Sequence, residues 1–422
     1  MVKVGERIYM KFNEIELIQW RQFDKISINF EKRLTVITGA NGSGKTTILG
    51  ILAKHCSWEK KLLGVPKKDK ESGFIRFFSR FFKGVEKNDS KIGCLKYSNN
   101  ISSDINIPVG GDIQAYNVEL PQMQGIECIF IPAHRSVFRY QQMSSLPLQK
   151  KDKRMAYEEI ANVERNSYFG HNTSTSSSFY MKNNLISWAI NGYGVKKDNT
   201  KIIMQSDTEQ QSYFEGFQTI LRKVLPKTLG FQELEIRNME IVFICNNGDD
   251  EFLLEDVSGG ISAIIDLAWQ IYMYDVGKDS EFTVIVDEIE NHLHPSMQRS
   301  ILSDFMDAFP NVSFIVSTHS PLLVNSVKNA NVYALRYNEN KKVISEKLDI
   351  ANDSKTANEI LTEVLGISTT YPVWVEEAYN CIIKKFESEP ISSESIEELK
   401  KCLKDIGLEK IFMHTLSERV SR

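Results

Sequence analysis

A chain of 422 residues, 42% hydrophobic and 25% charged, has the composition of an ordinary globular protein large enough for two or three structural units. Its net charge of −4 excludes a whole-molecule basic field for nucleic acid, so any DNA contact has to be local. No apolar run approaches the roughly 20 residues of a membrane span and no signal-peptide segment opens the chain, which predicts a cytoplasmic protein without membrane contact, while six scattered cysteines with no C-x-x-C pair predict reduced thiols and neither zinc nor a disulfide framework.

Phe12, Ile15 and Leu17 mark one strand, and Ile26, Ile28 and Phe30 alternate with polar residues in the next. The two predict an N-terminal antiparallel β element. The link between them, residues 18–23, carries Arg21. That arginine either contacts a base or ribose or sits at a hairpin tip that only packs.

Leu34 to Thr38 is a buried-strand pattern that runs directly into Gly39-Ala40-Asn41-Gly42-Ser43-Gly44-Lys45-Thr46-Thr47 and then into a helical run. The loop fits G-x-x-x-x-G-K-[ST] at every fixed position. Glycines let successive N–H groups turn inward toward phosphate, and the following helix offers its positive end to the same anion. Residues Gly39, Asn41, Gly42, Ser43, Gly44, Lys45, Thr46 and Thr47 are therefore expected to bind ATP or GTP, with Lys45 on the β- and γ-phosphates and the Thr46 hydroxyl on Mg²⁺.

From Trp58 to Asn100 the chain is basic and irregular. Phe74, Phe77, Phe78, Phe81 and Phe82 fall at helical spacing, with Arg76, Arg80 and Lys83 opposite, and predict an amphipathic helix. Its phenylalanines either pack on their own domain or meet a membrane surface, a partner or nucleic acid. Ile126 to Pro132 reads as a buried strand. Arg135, Gln141 and Gln142 beyond it are candidate sensors of the γ-phosphate, and His134 reads as a structural histidine.

Residues 144–231 are helical and polar, with a Ser/Thr tract from Thr173 to Ser178 that predicts a mobile loop, and without the sustained heptads of a coiled-coil arm. Ile236–Cys245 and Glu251–Leu254 then read as strands joined by a turn at residues 246–249. Ser258-Gly259-Gly260 opens a helix and taken alone signals an N-cap. Phe282 to Val286 is an apolar strand that delivers Asp287 and Glu288, expected to hold Mg²⁺ and to polarise the attacking water. His292 and His294, before a helix-starting proline, are poor metal ligands. A last strand, residues 312–318, ends at His319, which can hydrogen-bond the γ-phosphate and the water. After a strand pair at 331–337 and 342–348 the chain turns helical, with one helix over Thr356–Leu365 and another over Glu394–Ile406 capped by Ser392 or Ser393.

In this order the motifs resemble the ABC-type ATPases, in the soluble branch of RecF, SMC and OLD-like proteins. GANGSGKT (39–46), VSGGI (257–261), VIVDE (284–288), ENHLHP (290–295) and STHSP (317–321) match Walker A, signature, Walker B, D-loop and H-switch. The resemblance implies an α/β fold, an ABC-type P-loop ATPase with an N-terminal antiparallel β element, a helical insertion and a C-terminal helical region. The expected segments are 1–143, 144–235, 236–350 and 351–422. It also implies that ATP is sandwiched between Walker A of one subunit and Ser258-Gly259-Gly260 of another, giving a homo-oligomer, at least a dimer. Lys45, Glu288 and His319 would be catalytic, and Thr46 and Asp287 would hold the metal. Val257 and Ile261 replace the usual Leu and Gln or Glu of the signature, which implies slow closure and slow turnover. No coiled-coil arm and no TOPRIM nuclease signature accompany the motifs.

By size and layout the chain is most similar to stand-alone ATPase subunits of bacterial antiphage systems such as PARIS and Septu. That implies an ATP-driven switch controlling a separately encoded effector such as a nuclease, triggered by DNA or a phage protein. The alternatives are a RecF-like DNA-repair ATPase that binds DNA directly and an ATP-stabilised scaffold with negligible turnover.

Overall fold

A ten-stranded mixed sheet organises the described part of the computed structural model, which covers residues 9–68, 73–82, 85–86, 89–110, 112–135, 137–171, 175–197, 201–275, 277, 280–349, 359–360, 372–388, 392–409 and 412. The chain divides into two compact units, Met1–Ile360 and Leu361–Arg422.

In the first unit, β1 (Phe12–Trp20) and β2 (Phe23–Asn29) form an antiparallel hairpin that turns at Arg21-Gln22. Their apolar residues Phe12, Ile15, Leu17, Ile26 and Ile28 are all buried. After β3 (Leu34–Gly39) comes α1 (Lys45–Ala53), followed by β4 (Lys91–Tyr97), β5 (Ser102–Asn106) and β6 (Cys128–Ile131). Three helices make the insertion: α2 (Lys153–Tyr168), α3 (Ser177–Tyr193) and α4 (Thr208–Val224). A three-stranded sheet of β7 (Phe231–Arg237), β8 (Glu240–Cys245) and β9 (Asp250–Leu253) leads into α5 (Gly259–Tyr274). The main sheet is then completed by β10 (Phe282–Val286), β11 (Val312–Thr318), β12 (Asn331–Tyr337) and β13 (Val343–Leu348).

The strand order is β5-β4-β1-β2-β13-β12-β3-β11-β10-β6. Neighbours from β12 through β3, β11 and β10 to β6 are parallel, so their C-terminal ends emerge along one edge. Residues of β3, β10 and β6 are buried throughout, as expected for parallel strands covered on both faces. The other half is an antiparallel wing of β5, β4, β1 and β2. On the insertion side, Trp188 of α3 and Phe217 of α4 pack on Trp269 of α5, with ring centroids 5.4 and 4.7 Å apart. The helical insertion therefore shares a core with the helix that follows Ser258.

Four local expectations are corrected. Residues 74–82 do not form a helix. Ile75–Phe78 is a strand paired with Val65–Lys68, and Phe81–Phe82 pairs with Val85–Glu86; Lys83 lies outside the described residues. The expected faces are inverted as well: Phe74 is 74% exposed, whereas Arg80 is buried and donates to the carbonyls of Ile18, Gln19, Asp89 and Lys91. Cross-strand pairing over a few residues can mimic helical spacing in an aromatic-rich run. Cys56 and Cys128 are joined as a disulfide with Cα atoms 5.5 Å apart, where unpaired thiols were expected. They lie 72 residues apart in sequence, a pairing no spacing rule reveals.

The strand expected over 236–245 is two strands, β7 and β8, separated by a turn at Asn238-Met239 where both residues have positive φ. In the Ser/Thr tract, Ser176 is the N-cap of α3 and accepts from the Phe179 N–H, so this end of the tract starts a helix; residues 172–174 lie outside the described set.

In the second unit, α6 (Val373–Ser388) and α7 (Ser393–Asp405) bury Val375, Phe386, Leu399, Leu403 and Leu408 against one another. Ser392 caps α7 in a reciprocal capping box with Ser395. Most of the helix expected over Thr356–Leu365 lies outside the described residues.

Candidate nucleotide site

The parallel edge gathers three loops. The Walker A loop follows β3, Asp287-Glu288 follow β10, and His319 follows β11, with Thr38 opposite Thr318 and Val286 opposite Val316 in the sheet register. Gly39 and Gly44 are tightly enclosed: an added Cβ would meet the Leu335 carbonyl at 2.7 Å or the Phe23 ring at 2.4 Å. Both also have positive φ, 151° and 100°, a combination that admits glycine and resists side chains. Asn41 and Gly42 at the crest are exposed.

The loop fits a nucleotide phosphate. Helix α1 begins without a side-chain cap and without an acidic residue in its first turn, leaving its N–H groups and its positive end to an anion. The Ser43 hydroxyl is buried without a protein hydrogen-bond partner. Lys45 is only 5% exposed, and its Nζ donates to the Gly39 and Ala40 carbonyls at 2.9 and 3.2 Å. Burial pushes that ammonium down to about 8, against the attraction of Asp287, Glu288 and Glu290. Thr46 is exposed on the same turn and Asp287 is buried at the end of β10. A hydroxyl and a carboxylate are the hard oxygen donors that Mg²⁺ takes.

The acidic side is tied together by three residues that stand inside the quoted motifs but had no role assigned to them. Ser317 Oγ donates to Asp287 Oδ1 at 2.5 Å and accepts from the Glu288 N–H at 2.8 Å. The Asn291 amide donates to Glu288 Oε2 at 3.0 Å, and Glu290 accepts from the His319 backbone N–H. His319 Nδ1 lies 3.3 Å from Lys45 Nζ, and its Nε2 lies 3.6 Å from Glu288 Oε1. Burial and the neighbouring Lys45 lower the histidine's affinity for a proton, against Glu290 and Glu288. Ser317, Asn291 and Glu290 lie inside the quoted motifs, and a buried serine at the end of an apolar strand is the one sequence signal that marks Ser317.

Arg21 projects from the hairpin turn at φ 51°, its guanidinium 5.8 Å from the Trp20 ring centre. With Thr46, Thr47, Gly50 and Lys54 it lines a cleft of about 290 Å³ beside α1. The structure therefore brings Arg21 to the Walker A helix. Ser258 and Gly259 lie exposed at the start of α5, and Gly260 rests on the D-loop, where an added Cβ would stand 3.0 Å from the His292 carbonyl. Among the described residues no side-chain hydrogen bond or ion pair joins these three to Lys45, Asp287, Glu288 or His319.

The three sensor candidates diverge. Arg135 is turned inward and buried, Gln141 accepts from the Ser176 N–H and hydroxyl, and Gln142 is exposed. His134 is exposed, and His294 caps a short helix through Ser296. No cluster of metal-binding side chains occurs among the described residues.

Residues 12–53 match the family described as "P-loop containing region of AAA domain", and residues 158–325 match "AAA domain, putative AbiEii toxin, Type IV TA system". Septu protein PtuA of Bacillus thuringiensis is 25% identical over 407 residues, covering 92% of this chain and 88% of the relative. Over these residues the chain is similar to P-loop ATPases. Retron Vc95 probable ATPase of Vibrio cholerae is 22% identical over 445 residues, covering 90% of this chain and 83% of the relative. Septu protein PtuA of Bacillus mycoides (strain KBAB4) is 34% identical over 124 residues, a match that spans 28% of this chain and only 18% of that relative. The mixed sheet, antiparallel wing, helical insertion and helical C-terminal unit agree with the α/β layout expected from the motifs. No helix among the described residues is long and apolar enough to cross a membrane.

Proposed function

We propose that this ATPase is the switch subunit of a bacterial antiphage defence complex, assembling around ATP and controlling a separately encoded effector such as a nuclease. The observation that carries the catalytic part is the chain of contacts from Lys45 through His319 to Glu288 at one sheet edge. Lys45 and the α1 N-terminus hold the β- and γ-phosphates, Thr46 and Asp287 hold Mg²⁺, and Arg21 borders the base and ribose. Bound Mg²⁺ supplies charge neutralisation on the phosphates. Glu288 polarises the attacking water, and His319 contacts the γ-phosphate and keeps that water in place.

The exposure of Ser258 and Gly259 supports a composite site in which they close on ATP held by a second copy. With Val257 and Ile261 flanking them, closure and turnover are slow. The defence role is supported by the Septu and retron relatives, and the trigger, DNA or a phage protein, acts by biasing the assembled state.

Light scattering with and without Mg-ATP, on wild type and Glu288→Gln, tests this reading. An ATP-dependent rise in mass that stays trapped in the variant is expected, because losing the base slows hydrolysis by about 10²–10⁴-fold. A mass indifferent to ATP in both proteins overturns the sandwich. Co-purification with a neighbouring toxic protein tests the effector.

A further inference from the structure

Glu288 stands at φ 47°, a left-handed conformation that residues bearing a Cβ rarely hold without support. On one side of this residue its N–H is fixed by Ser317 Oγ. On the other its carbonyl accepts from Arg135 Nη2 at 3.2 Å, and the same nitrogen reaches the Ile289 carbonyl at 3.3 Å. Asn291 runs parallel to this tie: the amide that holds the Glu288 carboxylate also donates to the Ala133 carbonyl at 3.0 Å, in the loop that carries Arg135.

Arg135 is 8% exposed, and the carboxylates that attract it are Asp266, Glu290, Glu164 and Asp287, with Asp266 foremost. Asp266 belongs to α5, the helix that begins at the signature glycines, and is itself held by Gln270 at 2.8 Å. The two carbonyls are both served by Nη2 of a rigid planar guanidinium, a geometry that a flexible lysine ammonium holds less firmly.

We propose that Arg135 is a positioning residue for hydrolysis, holding the Glu288 peptide in the conformation that aims its carboxylate. This rests on the reading of Glu288 as the base. Arg135 acts through Glu288 and does not touch phosphate.

The test compares wild type, Arg135→Met, Arg135→Lys and Glu288→Gln in the full chain, measuring affinity for a fluorescent ATP analogue, kcat and Mg-ATP-dependent mass. Arg135→Met is expected to keep nucleotide affinity within about threefold while kcat falls about 10²-fold, the split that marks loss of an interaction used in the transition state. Arg135→Lys, which keeps the charge beside Asp266, recovers part of kcat and carries the test if Arg135→Met does not fold. Wild-type kcat in folded Arg135→Lys and Arg135→Met, or a loss of affinity and kcat together in step with thermal stability, overturns the positioning role. Wild-type turnover by Glu288→Gln rejects the assignment of the base itself, whereas slow Glu288→Gln beside unimpaired Arg135 variants rejects only this inference.

Discussion

The Lys45 ammonium lies 3.3 Å from Nδ1 of His319, which fixes the histidine's proton on the other ring nitrogen. A charged ammonium can only donate, so Nδ1 accepts and Nε2–H faces Glu288 at 3.6 Å. The lowered proton affinity of His319 agrees with a neutral ring. Lys45 of the glycine-rich loop thus sets the tautomer of the ring beside Glu288.

Lys45 also makes nucleotide binding pH-dependent. Its folded-state pKa is about 8 against an ordinary 10.5, because burial disfavours the charge. The free protein therefore loses this cation as pH rises through 8, while a triphosphate favours keeping it. Affinity for ATP is expected to fall above pH 8, approaching about tenfold per pH unit, with proton uptake on binding. For folding the sign is opposite: the unfolded chain binds the extra proton between 8 and 10.5, so this residue's contribution to stability rises with pH across that window. Titration calorimetry in buffers of different ionisation enthalpy reads the uptake. Constant affinity from pH 7 to 9.5 contradicts the assignment, and so does tight ATP binding by Lys45→Ala.

Ser317 links the Asp287 carboxylate to the Glu288 peptide. Ser317→Ala removes the donor to Asp287 and the acceptor for the Glu288 N–H at a fully buried site. The expected cost is about 1–3 kcal/mol in stability. Turnover is expected to drop about 10- to 100-fold with ATP affinity little changed, since the loss falls on the aim of Glu288. Steady-state kinetics beside equilibrium nucleotide titration checks it, and an unchanged kcat disproves it.

Lys182 is fully buried on α3, and its ammonium pairs with Glu240 of β8 at 2.8 Å and with Glu255 at 2.7 Å, just ahead of the signature. Lys182→Met leaves two carboxylates facing each other away from water. It is expected to destabilise the fold by about 3–5 kcal/mol, and Lys182→Met with Glu255→Gln should recover part of that. Denaturant unfolding measures both. Wild-type stability in the single variant contradicts a paired cluster.

Much of the fold was legible because its signals are local. The strand, glycine loop and helix of residues 34–53 are contiguous, and so are the apolar strands that end at Asp287 and at His319. Alternation marked β1 and β2 because one sheet face is buried, and capping chemistry marked Ser392. Short aromatic runs were not legible: the phenylalanines of residues 74–82 fall at helical spacing, yet Ile75–Phe78 and Phe81–Phe82 pair with other short segments, and a run this short does not separate the two by periodicity.

What the sequence by itself determined is the inventory of the candidate site, since each of Lys45, Thr46, Asp287, Glu288 and His319 stands at a fixed offset from a strand end. What only the tertiary structure decided is how these groups constrain one another. Ser317 joins Asp287 to Glu288, Arg135 is buried with its guanidinium on the Glu288 carbonyl, and Cys56 meets Cys128. Those contacts join segments distant in sequence, brought together by burying the parallel strands between helices. That burial depends on side chains from the whole chain, and no local pattern encodes it.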